Sequence, residues 1–209
     1  KAPKAFRPYV KIATLEEIKE YNSRGFVERK ITKPITEYYS VKVSYNEDGD
    51  IDTHYYPYGL NAAEPTGYKI RKLPKEFSST GKLSSLFGQA VFPKGGKRVI
   101  ITEGELDAMS IAQAYYEKYT KVYPVVSIRS ASAINDLVPA REWLRAYEEV
   151  LLCFDYDSAG QEALSKAIKI IGADKVKIIR LPVKDASDML LEHGGKALLN
   201  AVYDAEKWS

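Results

Sequence analysis

The residues best suited to chemistry are acidic, and each group follows an apolar run. Val99-Ile100-Ile101-Thr102 leads into Glu103-Gly104-Glu105-Leu106-Asp107, and Val150-Leu151-Leu152-Cys153-Phe154 leads into Asp155-Tyr156-Asp157-Ser158-Ala159-Gly160. A third run, Val176 to Pro182, leads into Lys184-Asp185-Ala186-Ser187-Asp188. Hard divalent cations such as Mg²⁺ take oxygen ligands, typically one or two carboxylates with water and phosphate completing the set. A cation held this way polarises a phosphoryl oxygen and neutralises developing charge. Asp155 and Asp157 are two apart, so in an extended segment their side chains point to one side. Glu103, crowded among carboxylates, is expected to have its pKa pushed upward and to serve in proton transfer. Gly104 lets the backbone turn sharply after its strand.

The elements that must position these groups follow from the pattern after Lys97. Strands at 98–102, 123–128, 150–154 and 175–181 alternate with helices at about 105–119, 137–147 and 160–171. Near-continuous apolar strands between helices indicate a parallel sheet covered on both faces. In such sheets ligands bind beyond the carboxyl ends of the strands. Three acidic strand ends are therefore expected at one rim. The competing structural account is that strand-to-helix loops favour Asp as an N-cap. That explains one of the three, Asp157 or Asp185, and leaves the cluster unexplained.

The first half reads differently. Thr14 with Glu17 three residues on forms a capping-box pattern, so a helix is expected from Thr14 to about Gly25. Strands are expected at 38–45, 51–58 and 68–71, the first two joined by the turn Asn46-Glu47-Asp48-Gly49-Asp50. Residues 1–95 carry 16 Lys+Arg against 11 Asp+Glu, whereas residues 96–209 carry 15 against 17. A basic half joined to an acidic half suggests a polyanion-binding module beside a carboxylate site. Lys69, Arg71, Lys72 and Lys75 form its densest basic cluster, for which a solvated strand edge is the plain alternative. Nine of the 16 Tyr also lie here, where they serve either base stacking or sheet packing.

Composition bounds these readings. Of 209 residues, 45% are hydrophobic and 28% charged, which excludes a disordered or fibrous chain. No apolar run approaches the ~18 residues of a membrane span. No signal-peptide pattern opens the sequence, so a cytoplasmic protein is expected, with residues 1–12 a Lys/Pro-rich linker. The single Cys153 with His54 and His193 falls short of a structural zinc site. Cys153 reads as an inert buried thiol, the two His as surface or capping residues, Ile111, Trp143 and Leu144 as core, and Gly194-Gly195 as a helix stop.

Glu103-Gly104 after one strand and Asp155-x-Asp157-x-x-Gly160 after another resemble the Toprim domain. That domain is shared by DnaG-type primases, type IA and type II topoisomerases, OLD-family nucleases and RecR-type proteins. The finer resemblance is to the bifunctional primase-helicases of short-tailed bacteriophages, relatives of mitochondrial Twinkle. It is carried by Val99–Asp107, Tyr123–Ser127 with Ala131-Ser132-Ala133, Phe154–Gly160 and Leu181–Ala186. More loosely, it is carried by Ser23-Arg24-Gly25, Lys69-Ile70-Arg71, Ser79-Thr80-Gly81 and Leu86-Phe87-Gly88.

The resemblance implies an α/β Toprim fold over 96–209, a parallel sheet flanked by helices, preceded by a smaller basic α+β subdomain over 13–95. It also implies synthesis of short RNA primers on single-stranded DNA from nucleoside triphosphates, with Mg²⁺ or Mn²⁺. Glu103, Asp155 and Asp157 become the catalytic, metal-dependent core, with Asp185 a further metal carboxylate and Asp107 and Asp188 in support. Arg24, Lys69, Arg71 and Lys75 become contacts for template or nucleotide. In the full-length protein a zinc-binding domain, a helicase domain and a replicative DNA polymerase would be partners. The Cys/His count and the lack of a Gly-x4-Gly-Lys-Ser/Thr loop place the first two outside this sequence. Ile128-Arg129-Ser130-Ala131 departs from the Gly-rich loop of the family. The alternatives are a Toprim nuclease cleaving DNA and a catalytically weak single-stranded DNA clamp. An Asp-x-Asp phosphatase fits the order of the motifs less well.

Overall fold

The computed structural model describes residues 12–208, so all but the last residue of the expected linker at 1–12 lies outside the described residues. Two sheets organise the chain. The first is antiparallel, in the order β1 (Lys42–Tyr45), β2 (Ile51–Tyr58), β3 (Gly67–Lys72), β4 (Glu76–Gly81). The β1–β2 turn uses the side chain expected of it, with Asn46 accepting the Asp50 N–H at 2.9 Å and Gly49 at φ 85°.

Two expectations for this half are corrected, and one strand is added. Helix α1 (Leu15–Lys19) has the capping box, with Thr14 and Glu17 bonded to each other's backbone N–H, but it ends well short of Gly25. Tyr38 does not begin a strand. It closes helix α2 (Lys33–Tyr38), which has a proline in its first turn, and Ser40 at φ 56° turns the chain into β1. Strand β4 was not expected, because its exposed Glu-Phe-Ser-Ser-Thr-Gly has no apolar alternation.

The second sheet runs β6 (Val125–Ser127), β5 (Gly96–Thr102), β7 (Tyr147–Cys153), β8 (Val176–Ile178), β9 (Glu206–Lys207). The first four are parallel, and β9 joins antiparallel at the edge. Helices α3 (Glu105–Tyr119), α4 (Leu137–Arg145), α5 (Ser158–Ile171) and α6 (Ala186–Tyr203) flank it, α3 against α6 and α4 against α5. The mixed α/β fold with its helix-flanked parallel sheet is therefore present. Within α6 the helical backbone breaks at Gly194 (φ 80°, ψ 169°), as the Gly194-Gly195 stop leads one to expect, and a second helical stretch continues to Tyr203.

The passage from one sheet to the other falls between β4 and β5, but the core does not divide there. One cluster of buried side chains runs from Phe26 through Tyr56, Phe87 and Ile101 to Val202. Phe87 exchanges two backbone hydrogen bonds with Ser127, and the Tyr39 hydroxyl donates to the Val125 carbonyl at 2.7 Å. Ile111 and Leu144 are in this core, and Trp143 packs partly buried beside it. Cys153 is buried, which pushes its thiol pKa up. His54 corrects the surface reading: it is buried, stacked on Phe26 at 3.9 Å, and burial lowers its pKa to about 4. Among the described residues, no helix is long and apolar enough to cross a membrane.

Candidate active site

The register of the parallel sheet sets the rim. Thr102 at the end of β5 lies opposite Cys153 at the end of β7, so the residues that follow leave the sheet at one level. As a result the Asp155 N–H donates to Oε1 of Glu103 at 3.0 Å. The starts of α3 and α6 complete the rim, with the Ser187 N–H donating to Oδ1 of Asp107 at 3.0 Å. Asp185 caps α6 by accepting the Asp188 N–H at 2.8 Å, and Asp157 caps α5 by accepting the Gly160 N–H at 2.9 Å. The capping account thus holds for two aspartates, and capping by itself does not separate a structural role from a chemical one.

Gly160 is required by close approach. A Cβ there would collide with the Asp155 carbonyl and come within 2.6 Å of Glu103 Oε1. Only a residue without a side chain lets α5 start against the rim.

The crowding has an electrostatic signature. Burial, with Asp155 adding to it, raises the Glu103 pKa to about 7. Burial and the neighbouring Asp185 push Asp107 well above the carboxylate range and raise Asp155 as well. Three carboxyls that resist ionisation together form a surface that a cation would stabilise. Oxygen donors of this kind suit Mg²⁺ or Mn²⁺ over softer metals. The residues present therefore fit a hard divalent ion, with Glu103 and Asp155 at the centre. Among the described residues, no three His, Cys, Asp or Glu side chains are already gathered as a ligand set. Asp157 and Asp185 are turned to their helix ends.

A cavity of about 760 Å³ opens over this rim. Glu103, Asp107, Asp155, Asp185 and Asp188 line it on one side. Lys69 and Arg71 of β3, with Lys75 from the β3–β4 turn, line it on the other. Arg29, Arg129 and Lys184 also reach it, and none of these three was expected. Arg29 lies 4.0 Å from the Asp188 carboxylate, which brings the turn before α2 to the start of α6. Two expected residues are elsewhere. Asp157 is outside the cavity lining. Arg24 donates to the Tyr45 hydroxyl at 3.2 Å and borders a separate surface pocket with Lys33 and Glu37.

Sequence reasoning also missed Glu105. Its buried carboxylate accepts from the Tyr58 hydroxyl at 2.5 Å and from Lys69 Nζ at 2.9 Å. Lys69 Nζ also donates to the Arg129 carbonyl at 2.6 Å, and Arg129 forks onto Asp136 at 2.6 and 2.7 Å. This network ties the antiparallel sheet, the start of α3 and the loop after β6 together. Its members lie far apart in sequence, so no local pattern announces it.

A helix-flanked parallel sheet with adjacent strands ending in Glu and Asp, facing a basic antiparallel sheet, defines a Toprim-like domain. Residues 100–190 match the family model described as Toprim-like. The chain carries that domain and is homologous to the DNA helicase/primase of Enterobacteria phage T3. The two are 36% identical over 144 residues, 67% of this chain and 25% of that protein, so the chain spans about a quarter of the relative's length. The primase fragment of the bacteriophage T7 primase-helicase has a similar structure, with TM-score 0.80 and 27% identity, over 96% of this chain and 82% of that one. A second T7 structure matches with TM-score 0.78 and 28% identity, over 90% of this chain and 94% of that one. It shows lagging-strand DNA polymerase interacting with primase domains bound to an RNA/DNA hybrid and dTTP.

Proposed function

We propose that this chain synthesises short RNA primers on a single-stranded DNA template, as the polymerising part of a primase-helicase. The observation that carries this reading is the acidic rim of Glu103, Asp107, Asp155 and Asp185 facing Arg71 and Lys75 across one cavity. A 3′-hydroxyl and a triphosphate need to be held in line, with negative charge balanced on both sides.

Glu103, Asp155 and Asp185 would hold a divalent ion, Mg²⁺ or Mn²⁺, with Asp157 joining once released from its cap. When bound, that ion supplies Lewis-acid stabilisation to the phosphate oxygens. Glu103 engages the Asp155 N–H through Oε1, which leaves Oε2 either to hold the ion or to take the 3′-hydroxyl proton. Asp107 holds the start of α6 through Ser187 and keeps Asp185 at the rim. Arg71, Lys75 and Lys184 offer positive charge to triphosphate or template phosphates. Lys69, committed to Glu105, sets the height of that basic wall.

The phage relatives support a setting in the cytoplasm of a bacterial host. They also support a helicase domain and a replicative DNA polymerase as partners of the full-length protein. The test is dinucleotide synthesis from a template, nucleoside triphosphates and Mg²⁺. The expected result is product that needs all three and that Glu103→Gln abolishes. Undiminished product from Glu103→Gln would overturn the assignment.

A further inference from the structure

Phe77 is the one large apolar side chain of β4, and it is 53% exposed. It belongs to neither hydrophobic cluster of the described residues, yet it lines the cavity that holds the acidic rim. Its cross-strand partner is Arg71, so the two side chains share a face of the sheet, and Lys69, two residues earlier on β3, points the same way. Lys69 Nζ lies 5.2 Å from the Phe77 ring centroid and Arg71 Cζ 5.9 Å from it. These are cation–π distances. They orient the ring, while Lys69 itself is anchored by Glu105 and the Arg129 carbonyl.

A lone exposed Phe is ordinary on a protein surface. Phe77 differs in standing inside the cavity, on an open strand edge where an apolar side chain invites unwanted pairing. A flat π-face covering the ring would remove that liability. Cations beside an aromatic ring are the combination that binds nucleic acid, the ring stacking a base while the charges meet phosphate.

We propose that Phe77 is a stacking platform for a nucleobase, delivered either by the template strand or by the incoming nucleoside triphosphate. This rests on the primer-synthesis reading of the cavity and adds the surface that positions a base there. Lys69 and Arg71 hold the ring, and Arg71 with Lys75 meets the phosphate attached to the stacked base.

The test compares Phe77→Ala, Phe77→Leu and Phe77→Trp with wild type in the whole chain. One arm measures anisotropy of a labelled single-stranded oligodeoxynucleotide and of the same strand with abasic sites. The other measures binding of ATP and of ribose 5-triphosphate, which lacks the base. Stacking predicts that Ala and Leu weaken one of the two base-bearing probes by roughly 5- to 150-fold, while Trp retains it. The weakened probe identifies the source of the base, and its base-less counterpart binds wild type and variants alike. Equal binding of both base-bearing probes by wild type and Phe77→Leu overturns the stack, as does an equal loss on the base-less probes. Wild type that makes no dinucleotide contradicts primer synthesis, whereas the binding ratio decides the stack by itself.

Discussion

The Asp155 backbone N–H donates to the Glu103 carboxylate at 3.0 Å across neighbouring parallel strands. Two acidic groups 52 residues apart are thereby held at one point of the sheet rim. The bond also fixes which Glu103 oxygen is engaged, and burial beside Asp155 keeps that carboxyl protonated up to about pH 7.

A pH dependence of stability follows. The folded pKa of Glu103 lies above its ordinary value of 4.5, so the folded state holds the proton more tightly than the unfolded state. The stability this contributes is complete below about pH 4.5 and is lost as pH rises through about 7. Thermal unfolding from pH 4 to 8 should show wild type losing ground to Glu103→Gln over that window. Parallel curves for the two proteins would show that Glu103 does not titrate as described.

Asp157 separates capping from chemistry. Asn is as good an N-cap as Asp, whereas Ala in its place costs about 1 kcal/mol. Asp157→Asn is therefore expected to melt like wild type and Asp157→Ala to melt lower, with both losing primer synthesis. Full synthesis by Asp157→Asn would leave Asp157 a cap alone.

The Lys69–Glu105 pair should behave as a buried ion pair, since the two side chains are only 15% and 6% exposed. Lys69→Met leaves the Glu105 charge unpaired in the interior, an expected loss of about 3–5 kcal/mol in denaturant unfolding. Adding Glu105→Gln removes the stranded charge and should recover much of that loss. A double variant no more stable than Lys69→Met would show that the pair is not coupled.

Gly160→Ala forces a methyl group against the Asp155 carbonyl and Glu103 Oε1. Overpacking of this kind costs about 1–3 kcal/mol, and here it pushes the rim apart. The variant should unfold earlier and lose synthesis more completely than its stability loss explains. Wild-type activity in a folded Gly160→Ala protein would mean that the rim tolerates displacement.

Much of this site was legible because its signals are local. The runs Val99–Thr102 and Val150–Cys153 are apolar without alternation, which marks buried parallel strands. Glu103 and Asp155 follow them directly. What was missed depends on contacts distant in sequence. Nothing near Glu105 indicates that Tyr58 and Lys69 will meet it, nothing near Arg29 that it will reach Asp188, and nothing near His54 that it will stack on Phe26. Strand β4 escaped because an exposed edge strand has no apolar face to reveal its period. Tyr38 and Tyr39 suit a strand by composition, yet the helix that begins at Lys33 ends on Tyr38, with Tyr39 as its C-cap. Arg24 was drawn in by the loose resemblance of Ser23-Arg24-Gly25 to the family, and a short local match does not say which face a residue occupies.

The central claim is that the carboxylates at the ends of β5 and β7 act together on a divalent ion. Titration of Mn²⁺ followed by electron paramagnetic resonance, with a nucleoside triphosphate present, tests this most directly when wild type is compared with Asp155→Asn. Saturable binding by wild type that Asp155→Asn loses is the expected result. Identical binding curves for the two proteins would contradict it.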